Sequence, residues 1–121
     1  MRRCVSHRRI CFKNAVNCRI YAGQSCATVR GFFDSGNRVY HHGVPVSVIP
    51  ESAAQKLVDI SCIESGVKIH TVAGSQVLKV FTADILEIDF GDKTNIYRGV
   101  KLGVSPVHMN CAVLHPDVLE D

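Results

Sequence analysis

The triplet Asp34-Ser35-Gly36 has the residue types, in the order, that hydrolysis by carboxylates requires. That chemistry needs two aspartates around one water, sharing one proton. Two close like charges cannot both ionise, so one stays protonated and the other acts as base. Each carboxylate must sit on a rigid loop at the dry end of a strand. A hydroxyl residue placed next can bond the loop backbone, and a glycine after it lets the backbone come close to the carboxylate. Phe32 and Phe33 provide the dry strand end, and Gly36-Asn37 continue as turn formers. The tripeptide by itself is usually a plain turn, so its weight comes from its setting. One such loop is also only half of what the reaction needs. A chain of 121 residues builds one small domain with a single core, and a deep cleft is easier to form between two copies than inside one.

The other carboxylates do not offer the second acid. Glu87 and Asp89 fall on the wet face of an expected strand, and Asp92 falls in a turn. The partner acid is therefore expected to be Asp34 of a second chain. Other chemistries read less well. Cys4 and His7 form a C-x-x-H pair, but no second pair follows at a zinc-like interval, so no metal is expected. His41 and His42 are neighbours in a loop, expected to be exposed, and adjacent side chains on a strand diverge. His115, before Pro116, reads as a packed residue near the end of the chain. Cys62 and Cys111 read as small core residues. A Cys-His nucleophilic pair would need a spatial approach that sequence does not show.

Apolar residues make up 46% of the chain and charged residues 21%, a globular rather than disordered composition. The net charge of +3 is uneven: Arg2, Arg3, Arg8, Arg9 and Lys13 precede the first acid. We read residues 1–11 as a solvated basic tail and residues 12–121 as the domain. Contact of the tail with nucleic acid or an anionic membrane surface is the weaker alternative, because no aromatic residues interleave the charges. Six cysteines follow a start that lacks the apolar stretch of a secretory leader, so a reduced compartment is expected. No run of about 18 apolar residues is present, so no spanning helix is expected.

Stepping outward from the triplet, residues 12–33 read as a hairpin around Gly23, delivering Asp34 at the end of its second strand. Residues 44–49 read as a strand. Pro50-Glu51-Ser52 opens one short helix that should stop near residues 59–61. Residues 67–72 and 77–81 flank a turn at Ala73-Gly74-Ser75-Gln76. Residues 83–90 and 96–104 flank a hairpin turn at residues 91–95, and residues 113–116 dock as a last strand or turn. The whole is mainly β with one short helix. A weak echo links the hairpin before Asp34 with the later one ending at Val100-Lys101-Leu102-Gly103.

The run from Phe32 through Asp34-Ser35-Gly36-Asn37 to Tyr40, with Val44-Pro45-Val46 and Ile49-Pro50-Glu51, resembles the sporulation sigma-E factor-processing peptidases of endospore-forming bacteria. The likeness continues at His70-Thr71-Val72-Ala73-Gly74, Leu86-Glu87-Ile88-Asp89, Leu102-Gly103-Val104-Ser105 and Ala112-Val113-Leu114-His115-Pro116-Asp117. It spans about residues 12–119, and the Asp-Ser-Gly-Asn and Leu-His-Pro-Asp signals together are specific. The resemblance implies a retropepsin-like closed β-barrel, one lobe per chain, working as a homodimeric aspartic endopeptidase without a cofactor. It implies that Asp34 is catalytic and that Ser35 and Gly36 shape its loop. Hairpin position, rather than a motif, suggests Ala73 and Gly74 for a flap over substrate. The implied substrate is a sigma factor precursor, pro-sigma-E, and the implied activator is a secreted protein. Members carry a multi-span membrane half before the protease domain. This chain has in its place only the basic stretch, which reads as a detached soluble half or a truncated gene. The expected location is the bacterial cytoplasm or the cytoplasmic face of the membrane. A catalytically inactive remnant, serving at most as a binding module, is the competing reading.

Overall fold

The computed structural model describes residues 15–34, 36–37, 39–71 and 74–120. The basic tail assigned to residues 1–11 lies outside them. Among the described residues eight strands form one sheet that closes on itself. β1 (Val16–Ala22) and β2 (Ser25–Phe33) are the expected hairpin, joined at Gly23-Gln24 with Ala22 opposite Ser25. β3 (Tyr40–His41) and β4 (Val44–Ile49) follow, then helix α1 (Glu51–Gln55). β5 (Gly66–Thr71), β6 (Gly74–Asp89), β7 (Thr94–Val104) and β8 (Ala112–Leu114) complete the order. Strands β1-β2-β8-β4-β7-β6 pair in sequence and β6 returns to β1, giving a closed six-strand barrel, with β5 added on β6 and β3 on β4. Closure removes the free edges that an open sheet of this size would expose. The mainly β barrel with one short helix is the expected architecture.

Two pairings are parallel, β2 with β8 and β4 with β7. The first ties the strand that delivers Asp34 to β8. The main core holds Ile20, Ile49, Leu86, Ile88, Leu102 and Leu114, all buried. In β1 and the second half of β6 the buried residues alternate with more exposed ones, the period that a half-buried sheet imposes, whereas β4, the end of β7 and β8 are covered on both faces. A second cluster of Val46, Leu78 and Val80 lies under the β5–β6 hairpin, with Val39, Val48, Val67 and Ile69 packed against it.

Several local expectations are corrected. The turn placed at residues 73–76 falls earlier, because Thr71 pairs with Gly74, His70 with Ser75 and Ile69 with Gln76. Residues 77–81 and 83–89 belong to one strand of 16 residues, since nothing between them breaks a ladder, and Phe90 lies just beyond it. Its buried side chains keep one phase at Leu78, Val80, Leu86 and Ile88, and Ala83 departs from it. Between the Ala83–Val100 and Ile85–Arg98 pairs, Gly99 takes φ +63°, a conformation that side-chain-bearing residues rarely adopt. Helix α1 ends at Gln55, before the expected stop. Pro50 is extended at its start, Ala53 and Ala54 bury its inner face, and Asp59 then accepts the Ser61 amide to start a 3-10 turn at Ile60–Cys62. Such a side-chain bond competes with helix continuation. A second 3-10 turn, Pro116–Glu120, follows β8.

The cysteine reading is also corrected. Cys62 is exposed and Cys111 half-buried, while among the described cysteines Cys18 is the buried one. His41 is half-buried rather than exposed, and its Nδ1 is fully enclosed. Burial, then the charges of His42 and Lys101, push its pKa below the ordinary value. Among the described residues no helix is long and apolar enough to cross a membrane.

Candidate active site

β2 ends at Phe33, whose ring stacks on Phe90 at 6.3 Å, and the chain turns out of the sheet at Asp34. The Asp34 amide still continues the parallel β2–β8 pairing by donating to the Leu114 carbonyl at 3.2 Å. Beyond it the loop folds on the carboxylate. The Gly36 amide donates to Asp34 Oδ1 at 2.8 Å, and the Asn37 amide donates to the Asp34 carbonyl at 2.9 Å. This is an Asx-type turn, the side chain standing in for a backbone acceptor. A Cβ on residue 36 would lie 3.2 Å from Asp34 Oδ1, so glycine leaves the carboxylate its place. Asp34 is half-buried and Gly36 is exposed. Ser35 lies outside the described residues.

Asn37 fastens the far side of the loop. It is 9% exposed. Its Nδ2 donates to the Val46 carbonyl at 3.1 Å, and its Oδ1 accepts the Val39 amide at 2.9 Å. The Val46 amide returns a bond to the Val39 carbonyl at 3.0 Å. The loop is thus fixed to β8 at its start and to β4 at its middle.

Gly74 is the exposed first residue of β6, at the tip of the β5–β6 hairpin, and Ala73 lies outside the described residues. The inner face of this hairpin, through Val67, Ile69 and Leu78, meets Val39, Val46 and Val48. The hairpin therefore packs on the segment that leaves the Asp34 loop.

Four other aspartates have visible structural work. Asp84 accepts the Gly23 amide at 2.6 Å and Asp89 the Gly91 amide at 2.8 Å. Asp59 accepts from Ser61 and Cys62, and the Ser61 hydroxyl, then the Cys62 thiol, then the Ser61 amide hold its carboxyl below the ordinary value. Asp117 accepts the Tyr40 hydroxyl. Asp92 is exposed in the β6–β7 turn. Glu87 pairs with Arg19 at 3.5 Å across β1 and β6. Among the described residues no group of three or more His, Cys, Asp or Glu side chains is arranged to hold a metal ion.

Sequence reasoning did not assign a role to three further residues around the loop. Tyr40, His115 and Asp117 form one cluster, with Ser47 beneath it. The His115 amide donates to Ser47 Oγ at 2.9 Å, and the Asp117 amide donates to His115 Nδ1 at 3.1 Å. The Tyr40 ring meets the His115 ring edge-on at 4.6 Å. The Leu-His-Pro-Asp signal pointed at this segment without saying what it touches.

A closed barrel with a carboxylate turned out at the end of β2, a hairpin packed behind it and a crossed pair of parallel ladders defines a retropepsin-like fold. Among solved structures the chain is similar to a retropepsin-like aspartic protease from Rickettsia conorii, with a TM-score of 0.50 and 15% identity, over 88% of this chain and 67% of that one. The likeness is one of fold. No protein-family model matches the chain, and no curated protein matches it.

Proposed function

We propose that the chain is one protomer of a homodimeric aspartic endopeptidase, with one Asp34 from each copy. The observation that carries this reading is the division of labour among the acids. Asp34, like Asp59 and Asp89, accepts an amide two residues on, but it does so half-buried on a loop bonded to β8 and β4, whereas Asp59, Asp84 and Asp89 are exposed and Asp117 accepts the Tyr40 hydroxyl. A second acid for a shared-proton pair then comes from a second chain. Two Asp34 carboxylates close enough to interact hold one proton between them. The ionised one takes a proton from a water as the water attacks the scissile carbonyl. The protonated one gives its proton to the developing oxyanion, and collapse passes a proton to the leaving amine. Ser35 and Gly36 shape the loop, and Ala73 and Gly74 cover the substrate.

The resemblance to sporulation peptidases extends the proposal to the substrate, a sigma factor precursor cleaved at the cytoplasmic face of the membrane. The same resemblance supplies a secreted activator and a membrane half as partners. Tethering by such a half would raise the effective concentration of two protomers. Co-expression with a pro-sigma-E-type precursor, beside an Asp34→Ala control, tests this. Cleavage by the parent chain and none by the control is the expected result. A folded dimer that cleaves neither this precursor nor an unstructured general substrate would instead favour the inactive binding module.

A further inference from the structure

The loop that carries Asp34 is held at both ends by one short segment. At its start the Asp34 amide donates to the Leu114 carbonyl at 3.2 Å. At its end, on β3, the Tyr40 hydroxyl donates to the Asp117 carboxylate. Between those two anchor points lies His115, 2% exposed, with its amide on Ser47 Oγ at 2.9 Å and its ring against Tyr40. The ring completes the segment internally, because the Asp117 amide donates to His115 Nδ1 at 3.1 Å. An amide can donate only to a ring nitrogen that bears no proton. The bond therefore fixes His115 as the neutral Nε2–H tautomer.

We propose that His115 is a positioning residue for Asp34, and that the neutral ring is a condition for the catalytic loop to hold its shape. Protonation at Nδ1 turns an acceptor into a donor facing the Asp117 amide. That contact then opens, and the turn beginning at Pro116 loses its first anchor. Asp117 moves with it, and Asp117 is what Tyr40 holds. The Leu114 carbonyl, one residue before His115, shifts from the Asp34 amide. Tyr40 from β3 meets the ring and Asp117 from the 3-10 turn bonds it through its amide, and both are titratable residues. Asp117 is committed to the Tyr40 hydroxyl, so the ring and the acid share one geometry. Activity then falls on acidification for a reason separate from the aspartate pair, which needs only one of its carboxylates ionised.

The activity arm of the test rests on the endopeptidase reading, so a second arm reads the clasp without activity. The full chain is compared with His115→Asn, whose side-chain oxygen supplies an acceptor in place of Nδ1 and takes no proton in this range, and with His115→Ala, which supplies none. In nitrogen NMR of the parent, the His115 ring is expected as the Nε2–H tautomer at neutral pH. On acidification the Asp34 and Asp117 amides are expected to exchange together, faster by about fivefold or more relative to the intrinsic amide rate at each pH, as loss of one ordinary hydrogen bond implies. In His115→Asn that acceleration is absent, and the acid limb of peptidase activity lies at lower pH than in the parent. An Nδ1–H tautomer, Asp34 exchange indifferent to the His115 titration, or an unchanged acid limb in an active His115→Asn would each overturn the proposal. If the parent cleaves nothing, the endopeptidase reading fails while the NMR arm still decides the clasp.

Discussion

Asn37 Nδ2 donates to the Val46 carbonyl at 3.1 Å, and this bond joins the Asp34 loop to the strand beneath the β5–β6 hairpin. The same side chain accepts the Val39 amide at 2.9 Å, so one buried amide group satisfies a donor and an acceptor of the backbone. Asn37→Ala leaves both without that partner. Such a loss costs about 1–3 kcal/mol, the penalty for a buried polar group left unsatisfied. The urea midpoint of the variant is expected to fall accordingly, at unchanged m. A midpoint equal to that of the parent would mean that water replaces the side chain and the loop does not depend on it.

If each protomer gives one Asp34, a mixed dimer is dead. Asp34→Asn keeps an oxygen for the Gly36 amide and so spares the turn, while removing the ionisable group. Its activity is expected to fall by at least about a hundredfold, the lower range for loss of a general acid or base. When parent and variant are mixed and allowed to exchange subunits, activity should follow the square of the parent fraction. A linear dependence would show that one chain suffices and would remove the reason for invoking a second.

The strands were legible because they alternate: Leu86 and Ile88 against Glu87 and Asp89 is a period that needs no tertiary knowledge. The Asp34 turn was legible for the same kind of reason, since aromatic residues followed by Asp, Gly and Asn spell a strand that must stop. The uninterrupted run of β6 was not. Thr82-Ala83 looks like a gap between two apolar stretches, and only the pairing with β7 through Phe81–Leu102 and Ala83–Val100 shows that the ladder continues. The short β3 was equally hidden, because two residues carry no period. Nor could spacing show that Tyr40 meets Asp117, 77 positions away, since that contact is made by barrel closure. Cys18, by contrast, was legible by strand period, since it alternates with polar Asn17 and Arg19 alongside Ile20, and β1 buries both.

Gly103 marks a place where β7 passes close to β6. A Cβ there would stand 2.6 Å from Leu78 Cδ2 and 2.8 Å from its Cγ. Leu78 is 1% exposed and belongs to the cluster under the β5–β6 hairpin, so it has little room to swing aside. Gly103→Ala is expected to destabilise the fold by about 1–3 kcal/mol through overpacking. Adding Leu78→Ala, which vacates the space, should make the second change cheaper than it is in the parent. A double variant whose loss equals the sum of the two single losses would show that residue 103 and Leu78 do not compete for the same volume.

Cys18 gives the fold an alkaline limit. Burial pushes its thiol up from the ordinary 9.0 to about 12, so the folded chain keeps it protonated where the unfolded chain lets the proton go. Between those values the unfolded state binds fewer protons, and stability falls as pH rises. The contribution is complete below pH 9.0 and declines toward about 12. Other groups titrate in the same range, so the quantity to measure is the difference between the parent and Cys18→Ala. Urea midpoints from pH 8 to 10.5 should decline more steeply in the parent than in the variant. The same burial shields the thiol from alkylation, whereas Cys26 and Cys62 are exposed. Alkylation followed by peptide mapping should therefore find Cys26 and Cys62 modified in the native chain and Cys18 only after unfolding. Equal pH slopes together with early labelling of Cys18 would mean that β1 opens readily, and that the barrel is not closed at its β1–β6 seam in solution.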